Sequence, residues 1–314
     1  MIALGFDTSN YTTSCAWFDG TNGENHSRLL VVRQGELGLR QSDALFLHVK
    51  RLPELSDRLF AHIQTSEVRA VGVSTRPRAV EGSYMPCFLA GESLARSLAA
   101  ALKIPVYEFS HQQGHIAAVL QTAERNELLS RPFLAWHLSG GTTELLRVTA
   151  KGADILCEKL GGTTDISAGQ LIDRAGQLLG LPFPAGKALD ALSAQATESE
   201  SFRVKVQCCA FSLSGVQNKL TERYAQTNDA PLTAYFTLKT VCDAVRRATE
   251  QALREHPGLP VVFSGGVASN SLLRGCFEDL DAVFAPPQYS TDNAMGIAVL
   301  AHRRLTGESP NQEA

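Results

Sequence analysis

The feature that most constrains this chain is a pattern that occurs twice. Residues 2–6 (Ile2-Ala3-Leu4-Gly5-Phe6) form an apolar run that ends at the polar turn Asp7-Thr8-Ser9-Asn10, and a β-rich run follows at Thr12–Phe18. Phe133–Leu138 is again apolar, enters Ser139-Gly140-Gly141-Thr142-Thr143, and is followed by a strand-like run at Glu144–Val148. Short apolar runs bounded by turn residues read as buried strands. Two such strand–turn–strand units in one chain point to a duplicated fold with a cleft between its halves.

Around these units helices and strands alternate, which is the pattern of an α/β protein. A third strand is expected at Arg28–Val32, after the turn 19–23. Helical periodicity over Leu45–Ile63 is interrupted by Pro53. Val68–Ser74 and Ile104–Tyr107 read as strands on either side of a small-residue helix at Gly91–Leu102. Beyond the second unit the chain reads as largely helical, over about 167–180, 187–196, 214–227 and 232–255. Pro260–Phe263 is strand-like and leads to Ser264-Gly265-Gly266-Val267-Ala268-Ser269-Asn270 and a helix. The expected lobes are 1–108 and 109–292, with a last helix, about 293–306, packing back on the first. The tail from Gly307 reads as disordered.

Composition narrows the function. The chain has 314 residues, 44% of them hydrophobic and 19% charged, with a net charge of −3. No global basic field exists to hold nucleic acid, so an RNA ligand needs a local patch or basic partner proteins. The seven cysteines are scattered and include no C-x-x-C, which reads as reduced thiols in a cytoplasm. No apolar stretch approaches the ~18 residues of a membrane span.

Three segments carry chemistry. His111-Gln112-Gln113-Gly114-His115 reads as the start of a helix, and a spacing of four puts both imidazoles on one face, where they can share a metal ion. A third ligand is needed, and spacing does not choose it among the Asp and Glu residues. By position alone Asp292 reads as a helix N-cap. Two His and a carboxylate with open positions suit iron or zinc. The Gly140-Gly141 and Gly265-Gly266 turns, each at the end of an apolar strand, expose backbone N–H groups suited to a phosphate or adenylate. Neither matches a P-loop or a dinucleotide fingerprint.

Taken together these segments resemble the TsaD family, also called Gcp, of tRNA threonylcarbamoyladenosine synthases. The family's H-x-x-G-H is similar to His111–His115, its S-G-G-H-T to Ser139–Thr143, and its G-x-x-x-D to Gly169–Asp173. Its F-S-F-S-G is similar to Phe211–Gly215, its G-G-V-A-x-N to Gly265–Asn270, and its T-D-N to Thr291-Asp292-Asn293. The resemblance implies a two-lobed, actin-like ATPase (ASKHA) fold with a duplicated mixed-sheet core. It implies one divalent metal ion held by His111, His115 and Asp292. Asp173, Gly186, Asp190 and Asn270 fall where the family contacts adenosine, and Ser139, Gly140, Gly141 and Thr142 beside the phosphate and acyl group of an adenylate or ATP-type nucleotide. The implied reaction moves a threonylcarbamoyl group from threonylcarbamoyl-adenylate to the N6 of an adenosine in tRNA, with TsaB- and TsaE-like subunits as partners. It requires no nucleophilic Ser or Cys, so no catalytic residue is assigned.

The chain departs from the family at its first turn. Where the family reads E-T-S-C-D-E-T, this chain has Asp7-Thr8-Ser9-Asn10-Tyr11-Thr12-Thr13, so Tyr11 and Thr12 replace an acidic pair. Thr142 replaces a His, Gln170 replaces a Glu, and a glycine-rich segment becomes Thr75-Arg76-Pro77-Arg78-Ala79. These changes suggest a divergent paralogue. They leave open a nucleotide-binding partner subunit without turnover, a carbamoyltransferase with another acceptor, or a kinase of the same fold. A metalloprotease is excluded, because Gln112 stands where H-E-x-x-H places its Glu base.

Overall fold

The computed structural model describes residues 1–9, 11–31, 39–286 and 294–307. The chain opens with β1 (Ile2–Ser9), β2 (Thr12–Phe18) and β3 (Gly23–Leu29), an antiparallel meander. Helix α1 (Gln41–Ala61), β4 (Val68–Arg76), α2 (Phe88–Leu102), β5 (Val106–Ser110) and α3 (His111–Thr122) follow. Strands β4 and β5 add in parallel beside β1, giving the order β3-β2-β1-β4-β5.

The second sheet repeats this arrangement. Its strands are β6 (Phe133–Leu138), β7 (Thr143–Lys151) and β8 (Asp154–Thr163), then, after α4 (Ala168–Leu178) and α5 (Gly186–Ser193), the short β9 (Val206–Gln207) and β10 (Ala210–Phe211). Helices α6 (Ser214–Thr227) and α7 (Ala230–Glu255) precede β11 (Val261–Ser264), α8 (Ser271–Gly275) and β12 (Ala282–Phe284), and α9 (Met295–Thr306) closes the described chain. The order β12-β11-β6-β7-β8-β10-β9 contains the first sheet's order, with β6 in the place of β1 and β11 in that of β4. As in the first sheet, the central strand pairs antiparallel on one side and parallel on the other.

Two compact units result. The first holds Met1–Arg131, Thr149–Cys157 and α9; the second holds Pro132–Val148 and the chain from Glu158 through β12. Leu4, Phe6, Leu55, Leu59, Val71 and Val73 form the buried heart of the first. Trp136, Leu171, Val241, Phe263 and Phe277 do so in the second, where Trp136 Nε1 donates to Thr249 Oγ1 at 2.8 Å. Every residue of β1 is buried, as suits a central strand with both faces covered.

The expected break between residues 108 and 109 does not coincide with this division, and the reason lies in two glycines. A Cβ on Gly296 of α9 would sit 1.9 Å from the carbonyl oxygen of Gly114 and 2.5 Å from the nitrogen of Ala118. On Gly114 it would meet Ile297 Cδ1 at 2.8 Å. The backbones of α3 and α9 are therefore in contact, which ties α3 to the first unit.

Other departures are local. Strand β3 starts at Gly23 rather than near Arg28, because Asp19 Oδ1 accepts from Thr21 N and Asn22 N at 2.8 and 2.7 Å and closes a tight turn. Helix α1 runs through Pro53, at the expense of one backbone hydrogen bond. Strand β8 was not anticipated: Glu158 and Lys159 stand side by side in it and obscure the alternation. Beyond the described residues lie Asn10, the Thr291-Asp292-Asn293 motif with the expected start of the last helix, and all of the expected disordered tail after Gly307. No described helix is long and apolar enough to cross a membrane.

Candidate active site

In the first unit the site begins where β5 turns into α3. Ser110 caps the helix: its Oγ accepts from Gln113 N at 3.3 Å, and Gln113 Oε1 accepts from Ser110 N at 2.8 Å. Gln113 Nε2 also donates to the carbonyl of Ile155 at 2.8 Å. One glutamine of the H-Q-Q-G-H run therefore fixes where the helix starts, and Gly114 fixes how closely it packs.

His111 and His115 come together as their spacing requires. Their Nε2 atoms are 2.8 Å apart, and His111 Nδ1 lies 2.6 Å from Asp7 Oδ2 at the end of β1. Asp7 is 1% exposed, and its other oxygen accepts from Ser9 N at 2.9 Å. A buried carboxylate on Nδ1 fixes the ring's orientation and turns Nε2 toward His115, as a carboxylate behind the ring does for many histidines that bind metals. At 2.8 Å the two nitrogens are at hydrogen-bond distance. Two ligands about 2.0–2.1 Å from one ion stand roughly 2.8–3.0 Å apart at right angles and about 3.3–3.4 Å apart in a tetrahedral site, so the pair could share a cation with little or no movement. Among the described residues, no group of three or more His, Cys, Asp or Glu could hold a metal. The third expected ligand, Asp292, lies outside them.

Asp7 is the functional group that spacing could not tie to His111, since 104 residues separate them. Around it the first turn is dense. Thr8 Oγ1 donates to Cys87 O at 3.0 Å and accepts from Gly91 N at 3.1 Å, and Thr13 Oγ1 lies 2.8 Å from His48 Nδ1. Burial pushes the His48 pKa down, against the nearby Asp7 charge. Burial, with Asp7 next, pushes the Cys87 thiol up to about 12, so it is no nucleophile at neutral pH. Of the two residues that replace the family's acidic pair, Thr12 is buried and Tyr11 is 38% exposed.

In the second unit the Ser139–Thr142 turn joins β6 to β7. Ser139 N donates to Thr142 O at 2.8 Å, and Ser139 Oγ accepts from Thr142 N at 3.1 Å. A Cβ on Gly140 or Gly141 would meet nothing within 4 Å, so both face open space. The start of α4 closes on the turn from one side: Ser167 Oγ donates to Gly140 O at 2.6 Å, and a Cβ on Gly169 would strike Ser139 O at 2.6 Å. Gln170 completes a capping box with Ser167. A Gln serves there as well as the family's Glu, so that departure is structurally neutral.

The expected adenosine contacts divide in two. Asp190 and Asn270 meet: Asp190 Oδ1 accepts from Asn270 Nδ2 and Ser271 Oγ, both at 2.8 Å, and Oδ2 accepts from Ser271 N at 3.0 Å. Asn270 Oδ1 in turn caps α8 through Leu273 N at 3.0 Å. Two donors at the start of α8, Ser271 N and Leu273 N, are thus already in use within the protein. Of the second Gly-Gly, only Gly266 is open. Gly265 is at φ 91°, and a Cβ there would lie 2.3 Å from Leu138 O. Asp173 differs from Asp190. It is half-buried, and Oδ1 accepts from Ala185 N at 2.8 Å, directly before Gly186, which is open. Burial raises its pKa, and that one bond opposes the rise only in part. Oδ2 keeps acceptor capacity for a ligand hydroxyl.

Asp165 escaped the sequence reading. Its oxygens accept from Leu213 N at 2.8 Å, Ser212 Oγ at 2.5 Å and Ser214 N at 3.2 Å, so it shapes the Phe211–Gly215 segment. Burial raises its pKa, but the bonds from Ser212 and Ser214 outweigh that and hold the carboxyl well below its ordinary range.

A family model described as TsaD, tRNA N6-adenosine threonylcarbamoyltransferase, matches residues 38–299. The chain belongs to the TsaD family. It is 31% identical to the tRNA N6-adenosine threonylcarbamoyltransferase of Salinibacter ruber, over 97% of this chain and 95% of that one. To the Carboxydothermus hydrogenoformans enzyme of the same name it is 32% identical, over 83% and 79% of the two chains. These relatives are acyltransferases by name. Among solved structures, full-length HypF in its phosphate- and nucleotide-bound form resembles it with a TM-score of 0.65 at 15% identity, over 98% of this chain. This chain spans about half of that one, 47%. A ROK hexokinase from Thermus thermophilus gives a TM-score of 0.53 at 15% identity, over 98% of this chain and 99% of the hexokinase. These likenesses, with the repeated strand order, establish the actin-like ATPase fold.

Proposed function

We propose that this protein transfers a threonylcarbamoyl group from threonylcarbamoyl-adenylate to the N6 of an adenosine in tRNA, in the cytoplasm, with TsaB- and TsaE-like subunits as partners. Family membership supports the reaction class. The observation that carries the site is the Asp7–His111–His115 chain, with its contacts of 2.6 and 2.8 Å.

In this reading His111 and His115 hold a divalent ion, iron or zinc, and Asp292 completes the set by its match to the family motif. When bound, the ion would neutralise phosphate charge and act as a Lewis acid at the acyl group. Asp7 keeps the His111 ring oriented. The open Gly140-Gly141 turn lets a phosphate or acyl oxygen approach backbone N–H groups, which stabilise negative charge as it develops. Asp173 accepts a ribose hydroxyl, and Asp190 positions Asn270 and the start of α8 beside the adenosine. The exocyclic amine of the acceptor attacks the carbonyl and AMP leaves, so the protein supplies orientation and charge stabilisation rather than a nucleophile.

The test is mass spectrometry of tRNA nucleosides after incubation with threonylcarbamoyl-adenylate and the host's accessory proteins, with His111→Ala alongside. Modified adenosine from wild type and none from the variant, together with loss of bound metal, is expected. Full metal content in His111→Ala refutes the ligand assignment. A second reading is favoured by exposed Tyr11 and buried Thr12 in the place of the acidic pair: a nucleotide-binding partner subunit, or a transferase with another acceptor. Adenylate binding without modified tRNA would select it.

A further inference from the structure

A chain of net charge −3 holds an RNA through a local basic surface or through basic partners, and the second unit has such a surface. Beside α7 a depression of about 520 Å3 is lined by Arg203, Lys205, Arg247, Glu250, Gln251 and Arg254, among others. The α7 members fall at positions 247, 250, 251 and 254, the spacing that puts side chains on one helix face.

The charges on this face do not cancel. Arg203, Lys205 and Arg254 are exposed, and their side chains have no ion pair among the described residues. Arg247 donates Nε to the carbonyl of Asp243 at 3.0 Å and has no carboxylate partner there either. Glu250 is the one carboxylate in the lining. It accepts from Arg246 Nε at 2.8 Å, while Arg246 Nη2 holds Asp279 at 2.7 Å. Asp243, at the adjoining edge, is engaged by Lys239 at 2.7 Å and Ser201 Oγ at 2.6 Å. Glu255 stands next to Arg254 in the chain and outside the lining. Arg246 shares its one charge between Glu250 and Asp279 and Lys239 takes Asp243, so with Arg203, Lys205, Arg247 and Arg254 six cations face the four carboxylates and an excess of positive charge remains.

The excess of positive charge on this face is repulsive at a cost that salt and water relieve only in part, and a polyanion relieves it further. The arrangement selects the kind of anion. From residue 247 to residue 254 the helix advances about 10 Å, so the charges lie along a track and do not converge on one point. Among the described residues its lining includes no glycine-rich turn of backbone N–H groups of the sort that encloses a single phosphate. A spread of Arg and Lys along a groove matches a run of phosphates in a nucleic-acid strand.

We propose that the face formed by Arg203, Lys205, Arg247 and Arg254 is a docking site for the phosphodiester backbone of the RNA acceptor. This rests on the acceptor's being RNA, as proposed above. The contacts are to phosphate, so they set register and affinity and carry no base specificity.

The test measures binding of unfractionated tRNA to the full chain by fluorescence anisotropy across a salt series, with Arg203→Gln/Lys205→Gln/Arg254→Gln alongside. The three residues are exposed and unpaired, so the variant should fold and melt as wild type does. Binding by the variant should weaken on the order of tenfold or more near 0.1 M salt, and its log–log salt slope should fall by roughly 2–3. An unchanged affinity and slope in the variant overturns the site while leaving the transferase reading intact. If wild type neither binds nor modifies tRNA, both fail. Should the variant lose binding of inorganic phosphate but retain that of tRNA, the face is a small-anion site and the RNA assignment is wrong.

Discussion

Replacing Gly296 by Ala tests whether the crossing of α3 and α9 positions the histidine pair. The added Cβ would lie 1.9 Å from the carbonyl oxygen of Gly114 and 2.5 Å from the nitrogen of Ala118. An ordinary carbon–oxygen contact is near 3.3 Å, so the helices must part by about 1.4 Å, and no rotamer change relieves a clash between backbones. Overpacking of this kind costs about 1–3 kcal/mol and sometimes more, while Gly→Ala within a helix returns up to about 1 kcal/mol. With both clashes against backbone, the upper part of the range applies and a net loss of about 2–3 kcal/mol is expected. If the first unit melts cooperatively, Tm should fall by about 5–10 °C. Because α3 carries His111 and His115, metal affinity should weaken too. Gly114→Ala is the control: its Cβ would press on the end of the Ile297 side chain at 2.8 Å, which can turn aside, so its cost should be smaller. Thermal and urea unfolding with a zinc titration read all three effects. A Gly296→Ala protein as stable as wild type, or one less affected than Gly114→Ala, would refute the argument from backbone contact.

Two further perturbations probe the first turn. Asp7→Asn keeps the shape but removes the charge behind His111, and should lower zinc or iron affinity about 10–100-fold; unchanged affinity in a chelator competition would rule out the orienting role. His48 has a pKa held below its ordinary 6.5 by burial. The unfolded chain therefore takes up a proton below about pH 6.5 before the folded one does, and stability is lost as pH falls from there toward the depressed value. His48→Asn should lack this component, which has a slope of at most about 1.4 kcal/mol per pH unit. Equal slopes for the two proteins between pH 6.5 and 5, from urea unfolding, would show that His48 titrates alike in both states.

Much of this protein is written in local sequence. The apolar runs that became β1 and β6, each with its turn and second strand, disclose the duplication because a buried central strand needs continuous apolar residues on both faces. The i, i+4 spacing of His111 and His115 places their rings together because one helical turn does so without help from the rest of the chain. Strand β8 escaped notice because the adjacent Glu158 and Lys159, which project to opposite faces and are both exposed, break the alternation that local patterns depend on. Asp165 escaped it because its hydrogen bonds cross 47 to 49 residues to Ser212, Leu213 and Ser214. Three features belong to the tertiary structure alone. Asp7 stands behind His111 only because parallel pairing brings the ends of β1, β4 and β5 side by side. The limit of the first unit falls after α3 only because Gly114 and Gly296 let two helix backbones touch. The basic face beside α7 exists because the fold brings Arg203 and Lys205 beside Arg247 and Arg254, while Arg246 and Lys239 hold part of the neighbouring acid. Periodicity is set by the bond geometry of a few consecutive residues, so it can be read along the chain; the partner of a charge is set by packing between distant segments.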